Sequence, residues 1–218
     1  MQLKEYIRRY MLFTISLFFC ALGVAVTKKG ELGVSPISSV ANVMSIKFLQ
    51  LSLGNWLIIW NCILILGQII LLRKNFQLIQ LLQIPVSFLF GLFTDFGVWL
   101  FSFIEPNGYV SRLSLVIIGT VVLGFGISLS VIANVIMNSG EAFVKALSDT
   151  IKKDFGSIKV VFDVSCVILA ILLSLFMLDM QIIGTREGTV ISAICTGFVV
   201  KFFVKLLKEP MENHLTVC

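Results

Sequence analysis

This chain is short of charge and almost without histidine. Only 13% of its 218 residues are Asp, Glu, Lys or Arg, against 58% hydrophobic ones, and the mean hydropathy is +1.02. A water-soluble domain needs a largely polar surface, so this composition excludes one, and lipid is the solvent that accommodates the apolar surplus. With His214 as the single histidine, a histidine-built metal or catalytic centre has nothing to assemble from. Of the five cysteines, Cys20, Cys62, Cys166 and Cys195 lie inside apolar runs and Cys218 is the last residue. None has metal-ligand spacing and they form no disulfide framework, which leaves them as small packing residues. There is no phosphate-binding G-x-x-x-x-G-K-[ST], no H-E-x-x-H and no G-x-S-x-G. No cofactor is called for, and a non-enzymatic role is expected.

What is abundant is long apolar runs. A spanning helix takes about 20 apolar residues, and six windows qualify: 9–27, 54–73, 78–104, 112–136, 158–180 and 188–208. Lys4, Arg8 and Arg9 precede the first run, as they would in a signal peptide. The run is long for that role, no small-x-small cleavage site follows, and Phe19 before Cys20 is too bulky for a lipobox, so it reads as a retained span. Pro85 near the start of the third run predicts a kink. With the N-terminus cytoplasmic, twelve of the seventeen basic residues fall on the inside, and Lys28, Lys29, Lys47, Arg112 and Arg186 remain outside. Positive-inside bias therefore puts both termini in the cytoplasm. The net charge of +5 is then a membrane-orientation signal and calls for no nucleic acid.

Two connections are longer than the rest. In 28–53, Ser35 is a natural N-cap with Pro36 at the first helical position. Ile37, Val40, Ala41, Met44 and Phe48 share one face of the helix that follows, and Ser38, Asn42 and Ser45 the other. At residues 36–48 it is too short to cross a bilayer. Its neutral polar face favours a buried, re-entrant position over an interfacial one, and both stay open. In 137–157, Ser139 is the expected cap and Glu141 suits the first turn. Phe143, Val144, Leu147 and Ile151 oppose Lys145, Asp149, Lys152 and Lys153, a pattern that predicts an interfacial helix.

The two halves echo one another. Gly23, Ser35 and Gly54 are spaced like Gly126, Ser139 and Gly156, and "GNWLIIWN" aligns with "GSIKVVFD". Each half reads as span, short helix, span, span. Three spans is an odd number, so the second half enters from the opposite side. The expected fold is all-α and polytopic: six transmembrane helices in two inverted three-span repeats, 1–105 and 106–218, within one membrane domain. That is the architecture of many secondary transporters.

Polar residues inside spans are costly and face a bundle interior or a cavity. Gln83, Ser87, Gly91 and Asp95 recur every fourth residue along one face of the third span. Asp95 is either a solvated interfacial acid or a cavity group. Asp163 has Lys159 four residues before it as a ready partner. Ser16, Cys20, Gly23 and Thr27, like Thr120, Gly124 and Ser128, read as close-packing seams. The start of the helix after Ser35 offers free N–H groups and a partial positive charge, a natural anion site.

"GVSPISSV" followed by "GNWLIIWNCILILGQIILLRKNFQLIQLLQIPVSFLFGLFTD" resembles the YczE/YitT-like family of bacterial inner-membrane proteins, most closely over residues 30–95 and again in "GTVISAICTG". The resemblance implies a multi-pass protein of the bacterial plasma membrane and carries no activity or site with it. The functional expectation is a transporter or exporter of a small anionic or zwitterionic solute. Ser35, Ser38, Ser39, Asn42, Asn61, Gln83 and Ser87 would touch the solute, and Asp95 and Asp163 would couple a proton or cation. The alternative is a membrane-embedded substrate-binding or accessory subunit of a larger complex. Partners are then the bilayer, the solute, and a second copy or a partner subunit.

Overall fold

The computed structural model describes residues 3–215; Cys218 lies outside them. Eight α-helices follow one another: α1 (Leu3–Lys29), α2 (Pro36–Lys47), α3 (Leu53–Leu72), α4 (Gln83–Leu100), α5 (Gly108–Ala133), α6 (Ser139–Ile151), α7 (Phe155–Met177) and α8 (Glu187–Leu215). Six are long and apolar enough to cross a membrane, and α2 and α6 are the two short ones. The chain is thus a polytopic all-helical membrane protein. Large apolar side chains on its perimeter, such as Phe176, Phe198 and Trp99, are more than two-thirds exposed. Lipid covers them at no cost, so burial of apolar area cannot be what holds the helices together.

Small residues do that work. A Cβ placed on Gly23 of α1 would lie 2.5 Å from the Leu123 backbone N of α5. One on Gly126 would lie 2.6 Å from the Cys20 backbone N, and one on Gly119 would lie 2.8 Å from the Gly23 carbonyl oxygen. Backbone therefore meets backbone along α1 and α5, and every dispersion contact a side chain would have held apart is gained. The other seams repeat the device: Gly97 against Ala25 joins α4 to α1, Gly124 against Val199 joins α5 to α8, and Gly54 against Gly91 joins α3 to α4. In α1, 61% of the spanning window is buried, whereas in α8 only 6% is. So α1 is the axis of the bundle and α8 its outermost helix.

The pairings follow a pattern. Helix α1 packs on α5 and α4, and α5 packs on α8. Helix α2 lies across α7 and α3, and α6 lies across α3 and α7. Exchanging the first four helices for the last four maps these pairs onto one another, α1–α5 onto itself. The largest exception is that α3 packs along α4, whereas α7 and α8 barely meet; the lighter contacts of α8 with α1 and α2 also lack a counterpart. A crevice of about 370 Å³ takes the place of that seam, lined by Val167 and Ile171 of α7 and by Thr185, Arg186, Glu187 and Val190 at the start of α8, with Ile182 between.

Two local expectations are corrected. Pro85 does not kink a span, because α4 begins only at Gln83 after a 3-10 turn at Leu78–Leu82. Pro85 thus stands in the first turn, where no backbone hydrogen bond is lost. The cap of α6 is Asn138, one residue before Ser139, with its side chain accepting from the Ser139 N–H at 3.0 Å. Helix α6 packs one face on the bundle: Ser139, Gly140, Ala142, Val144, Ala146 and Ser148 are buried. Its small residues let it press into the bundle, Phe143 stacks near Phe162 with ring centres 5.3 Å apart, and the charges collect on an exposed strip and at its far end. In α2, Ser38, Ser39, Asn42 and Ser45 are buried along with Val40, Ala41 and Val43, while Ile37, Met44 and Ile46 are half-buried and Lys47 is exposed, so most of the helix is covered by protein.

Gly23→Leu should therefore lower the unfolding free energy in detergent by ~1–3 kcal/mol through overpacking. Gly197→Leu, where a Cβ would meet open space, should leave it within ~0.5 kcal/mol. Equal losses in the two variants would show that the α1–α5 seam is not the site of closest packing.

Candidate functional site

The two short helices start at the same place. A Cβ on Gly140, the second residue of α6, would lie 2.8 Å from the Ile37 side chain, the second residue of α2. Each helix end carries unsatisfied N–H groups and about half a positive charge. Two positive ends thus converge in the interior of a bundle with little water to screen them.

They are furnished differently. The start of α6 is wrapped in hydrogen bonds. Ser139 Oγ and Ser87 Oγ lie 3.1 Å apart, Gln68 Nε2 donates to the Ser139 carbonyl at 3.3 Å, and Gln68 and Gln83 exchange amide bonds at 3.0 and 3.1 Å. Ser87 also donates to the Gln83 carbonyl at 2.7 Å. The start of α2 has no side-chain cap: Ser35 Oγ donates instead to Ser38 Oγ at 2.9 Å, and Ser39 Oγ donates to the Pro36 carbonyl at 2.6 Å. The segment before it is clamped to the chain entering α8. Gly33 bridges to Thr185, the Gly188 N–H donates to the Leu32 carbonyl at 2.9 Å, and Asn42 Nδ2 donates to the Gly184 carbonyl at 2.8 Å. Gly33 has φ +110°, and a Cβ there would strike Thr189 Oγ1, so only glycine fits. Against this clamp the hydroxyls of Thr185, Thr189 and Ser192, all at most 2% exposed, have no partner, and neither has Asn42 Oδ1. Buried polar groups are nearly always paired. A cluster of free ones beside an uncapped helix start is an unfilled set of donors and acceptors.

The predicted solute-contacting residues therefore divide. Ser35, Ser38, Ser39 and Asn42 gather at the start of α2, Gln83 and Ser87 at the start of α6, and the two starts touch. Asn61 lies on the buried face of α3 with its Nδ2 unpaired. The two predicted acids are both engaged. Asp95 accepts from Ser52 Oγ at 2.5 Å and from the Gly54 N–H at 2.8 Å, which anchors the N-terminus of α3. Asp163 takes both of its bonds from Lys159, one turn earlier in α7. A third acid, Glu141, stands in the first turn of α6 with Oε2 shielded from solvent and unpaired. Burial pushes its pKa up, and the Lys159 charge opposes that only in part. Donors and hydroxyls dominate the junction, and no nucleophile stands beside a base, so the arrangement suits holding an anionic group.

The chain belongs to a family of unknown function, DUF6198, whose profile matches residues 7–205. It is similar to the uncharacterized protein YyaS of Bacillus subtilis (strain 168), with 31% identity over 121 residues, 54% of this chain and 57% of that protein. The chain thus aligns with little more than half the length of that relative. No solved structure matches.

Sequence reasoning missed Gln68, Thr185 and the role of Glu141. Gln68 is one amide in a run of Leu and Ile, and its partner Gln83 is 15 residues away; an amide in each of two consecutive spans was the available signal. Thr189 and Ser192 fall within the "GTVISAICTG" stretch, which carried no site expectation. Two outcomes follow. Asp95→Asn should cost ~1.5–3 kcal/mol of stability, the usual worth of hydrogen bonds to a charged group, and Ser52→Ala should add little on top because both act on one anchor. Gln68→Leu should cost ~1–3 kcal/mol by stranding the Gln83 amide, with the double variant Gln68→Leu/Gln83→Leu recovering part of that loss. Both are read as unfolding free energies in detergent, and strict additivity in either cycle would contradict the contacts described.

Proposed function

We propose that this family member is a transporter or exporter of a small anionic or zwitterionic solute, non-enzymatic, held at the junction where α2 and α6 begin. The carrying observation is the uncapped, enclosed start of α2 beside the unpaired hydroxyls of Thr185, Thr189 and Ser192. Helix N-termini bind carboxylates and phosphates by geometry and dipole together, and transporters place broken or short helices at their binding sites. In this reading Ser35, Ser38, Ser39 and Asn42 line the anion position, with Asn61, Gln83 and Ser87 supporting it. The matching helix pairings support two inverted repeats, 1–105 and 106–218. The α7–α8 crevice, without counterpart between α3 and α4, is the way in. The distribution of Lys and Arg supports a bacterial plasma-membrane setting with both termini cytoplasmic, and the "GVSPISSV" motif supports kinship with YczE/YitT-like proteins. Coupling through Asp95 or Asp163 requires breaking the bonds each already makes.

A second reading, a binding or accessory subunit of a larger complex, is favoured by one observation. Helix α8 exposes Val190, Ile194, Phe198, Phe202 and Leu206 along one side, each more than half exposed, a face that suits another subunit as well as lipid.

Thermal unfolding of the purified protein against a panel of small carboxylates, phosphates and amino-acid zwitterions tests the first reading. A bound solute at a hundredfold excess over its dissociation constant should add about 2.7 kcal/mol. Thr189→Val should abolish that gain while the variant stays folded. A flat panel with the wild type well folded overturns the transporter reading, and co-purification of a stoichiometric membrane partner then supports the second.

A further inference from the structure

Glu141 stands in the first turn of α6, where an acid suits the helix dipole. The residue is half-buried, and its Oε2 has neither a donor nor solvent, while its own backbone N–H lies against the carboxylate. A carboxylate so placed forfeits much of the hydration it had in water, which that N–H and the Lys159 charge replace only in part. The groups that face it are few. From α7 come Lys159, already donating to both oxygens of Asp163, and Asp163 itself; from α1 comes the Cys20 thiol. Helix α3 presents the uncharged Gly67 to Phe143 and Gln68 to Ser139, α4 brings the Ser87 hydroxyl to Ser139, and α2 brings Ile37 to Gly140. Arg73, just beyond α3, lies at the far end of α6 near Thr150, and Lys145, one turn on from Glu141, is exposed. Lys159, the cation that acts on Glu141, is thus shared with another acid. An ionised pair Glu141 and Asp163 would leave a net negative charge on a single lysine inside the bundle.

Position matters as much as charge. Glu141 follows Gly140, the residue that touches Ile37, so its carboxyl stands within a turn of the place where the two helix starts meet.

We propose that Glu141 is a proton-binding site built into the junction of α2 and α6, its carboxyl neutral while the junction is empty. The proton leaves to and arrives from water as the bare ion, with no other bond made or broken. Its use in coupling rests on the transport reading above; its protonation does not. An anion at the start of α2 repels an ionised Glu141 and so favours the protonated form. By linkage the proton favours the anion equally. A junction already neutral when empty therefore accepts the anion without taking up a further proton, and loses affinity for it as pH climbs through the folded Glu141 pKa.

Infrared spectroscopy of the solute-free protein tests the site. The wild type should show the C=O stretch of a protonated buried carboxyl near neutral pH. The band should fade as pH rises, move on incorporation of isotope-labelled glutamate but not labelled aspartate, and be absent in Glu141→Gln. Isotope editing of the wild type needs no variant to fold. The sign for stability follows from the raised pKa. The folded carboxyl keeps its proton at pH values where the unfolded one has lost it, so stability is full below the ordinary glutamate pKa and falls as pH climbs through the folded value. Glu141→Gln should flatten that fall, and Asp163→Asn should leave the infrared band in place. No protonated band near neutral pH, or one that follows the aspartate label and vanishes in Asp163→Asn, overturns the proposal. Above the pH at which the band fades, affinity for a solute from the panel should fall by up to about tenfold per unit rise in pH, and Glu141→Gln should remove that dependence. A band that behaves as expected with an empty solute panel leaves the proton site standing and removes transport.

Discussion

Everything in this bundle depends on how closely α1 and α5 approach. In a bilayer apolar side chains gain nothing by leaving lipid for protein, so the helices are held by contacts that only small residues allow. Gly23, Gly119 and Gly126 bring the two backbones together and make α1 the axis on which α4 also rests. Only with that axis fixed is there an enclosed space for two helices too short to span. Helix α2 starts within the bundle with no side-chain cap, while the start of α6 is capped by Asn138, and a membrane protein tolerates such internal helix ends only where protein surrounds them.

The long elements were legible because lipid imposes one strong rule, an apolar run of sufficient length, and each of the six runs became a helix. Ser35–Pro36 was legible for a local reason, since the ring fixes the first helical turn without help from elsewhere. The seams were half legible. Gly23 and Cys20 carry the signature of close packing, but nothing in their spacing says that Gly119 and Gly126 face them while Gly124 turns to Val199. At α6, charge periodicity marked the exposed strip that carries Lys145 and Asp149 but gave no sign that the small residues opposite are what pack on the bundle. Length and charge are read residue by residue, whereas enclosure depends on residues far away in the chain.

The site shows the same division. That Ser35, Ser38 and Ser39 begin an amphipathic helix is local knowledge. That Thr189 and Ser192 stand unpaired beside them depends on the bridge from Gly33 to Thr185, a contact across most of the chain. Asp95 and Asp163 drew attention as charges in apolar runs, and both turn out to be engaged, one at a helix end and one by a lysine on its own helix. Glu141 drew little, because an acid in a first turn is where an acid is expected. Rarity within a span is a poor guide to which carboxyl is free; hydrogen-bond accounting is a better one.

The clamp between the two loops has a mechanical meaning. Leu32 and Gly33 are bonded to Gly188 and Thr185, and Asn42 holds Gly184, so the head of α8 and the head of α2 form one rigid piece. Helix α8 is the least enclosed span and stands apart from α7. If it swings, it acts as a lever whose short arm is the first turn of α2: a displacement begun at the lipid-facing edge is delivered to the centre of the protein without passing through its packed axis.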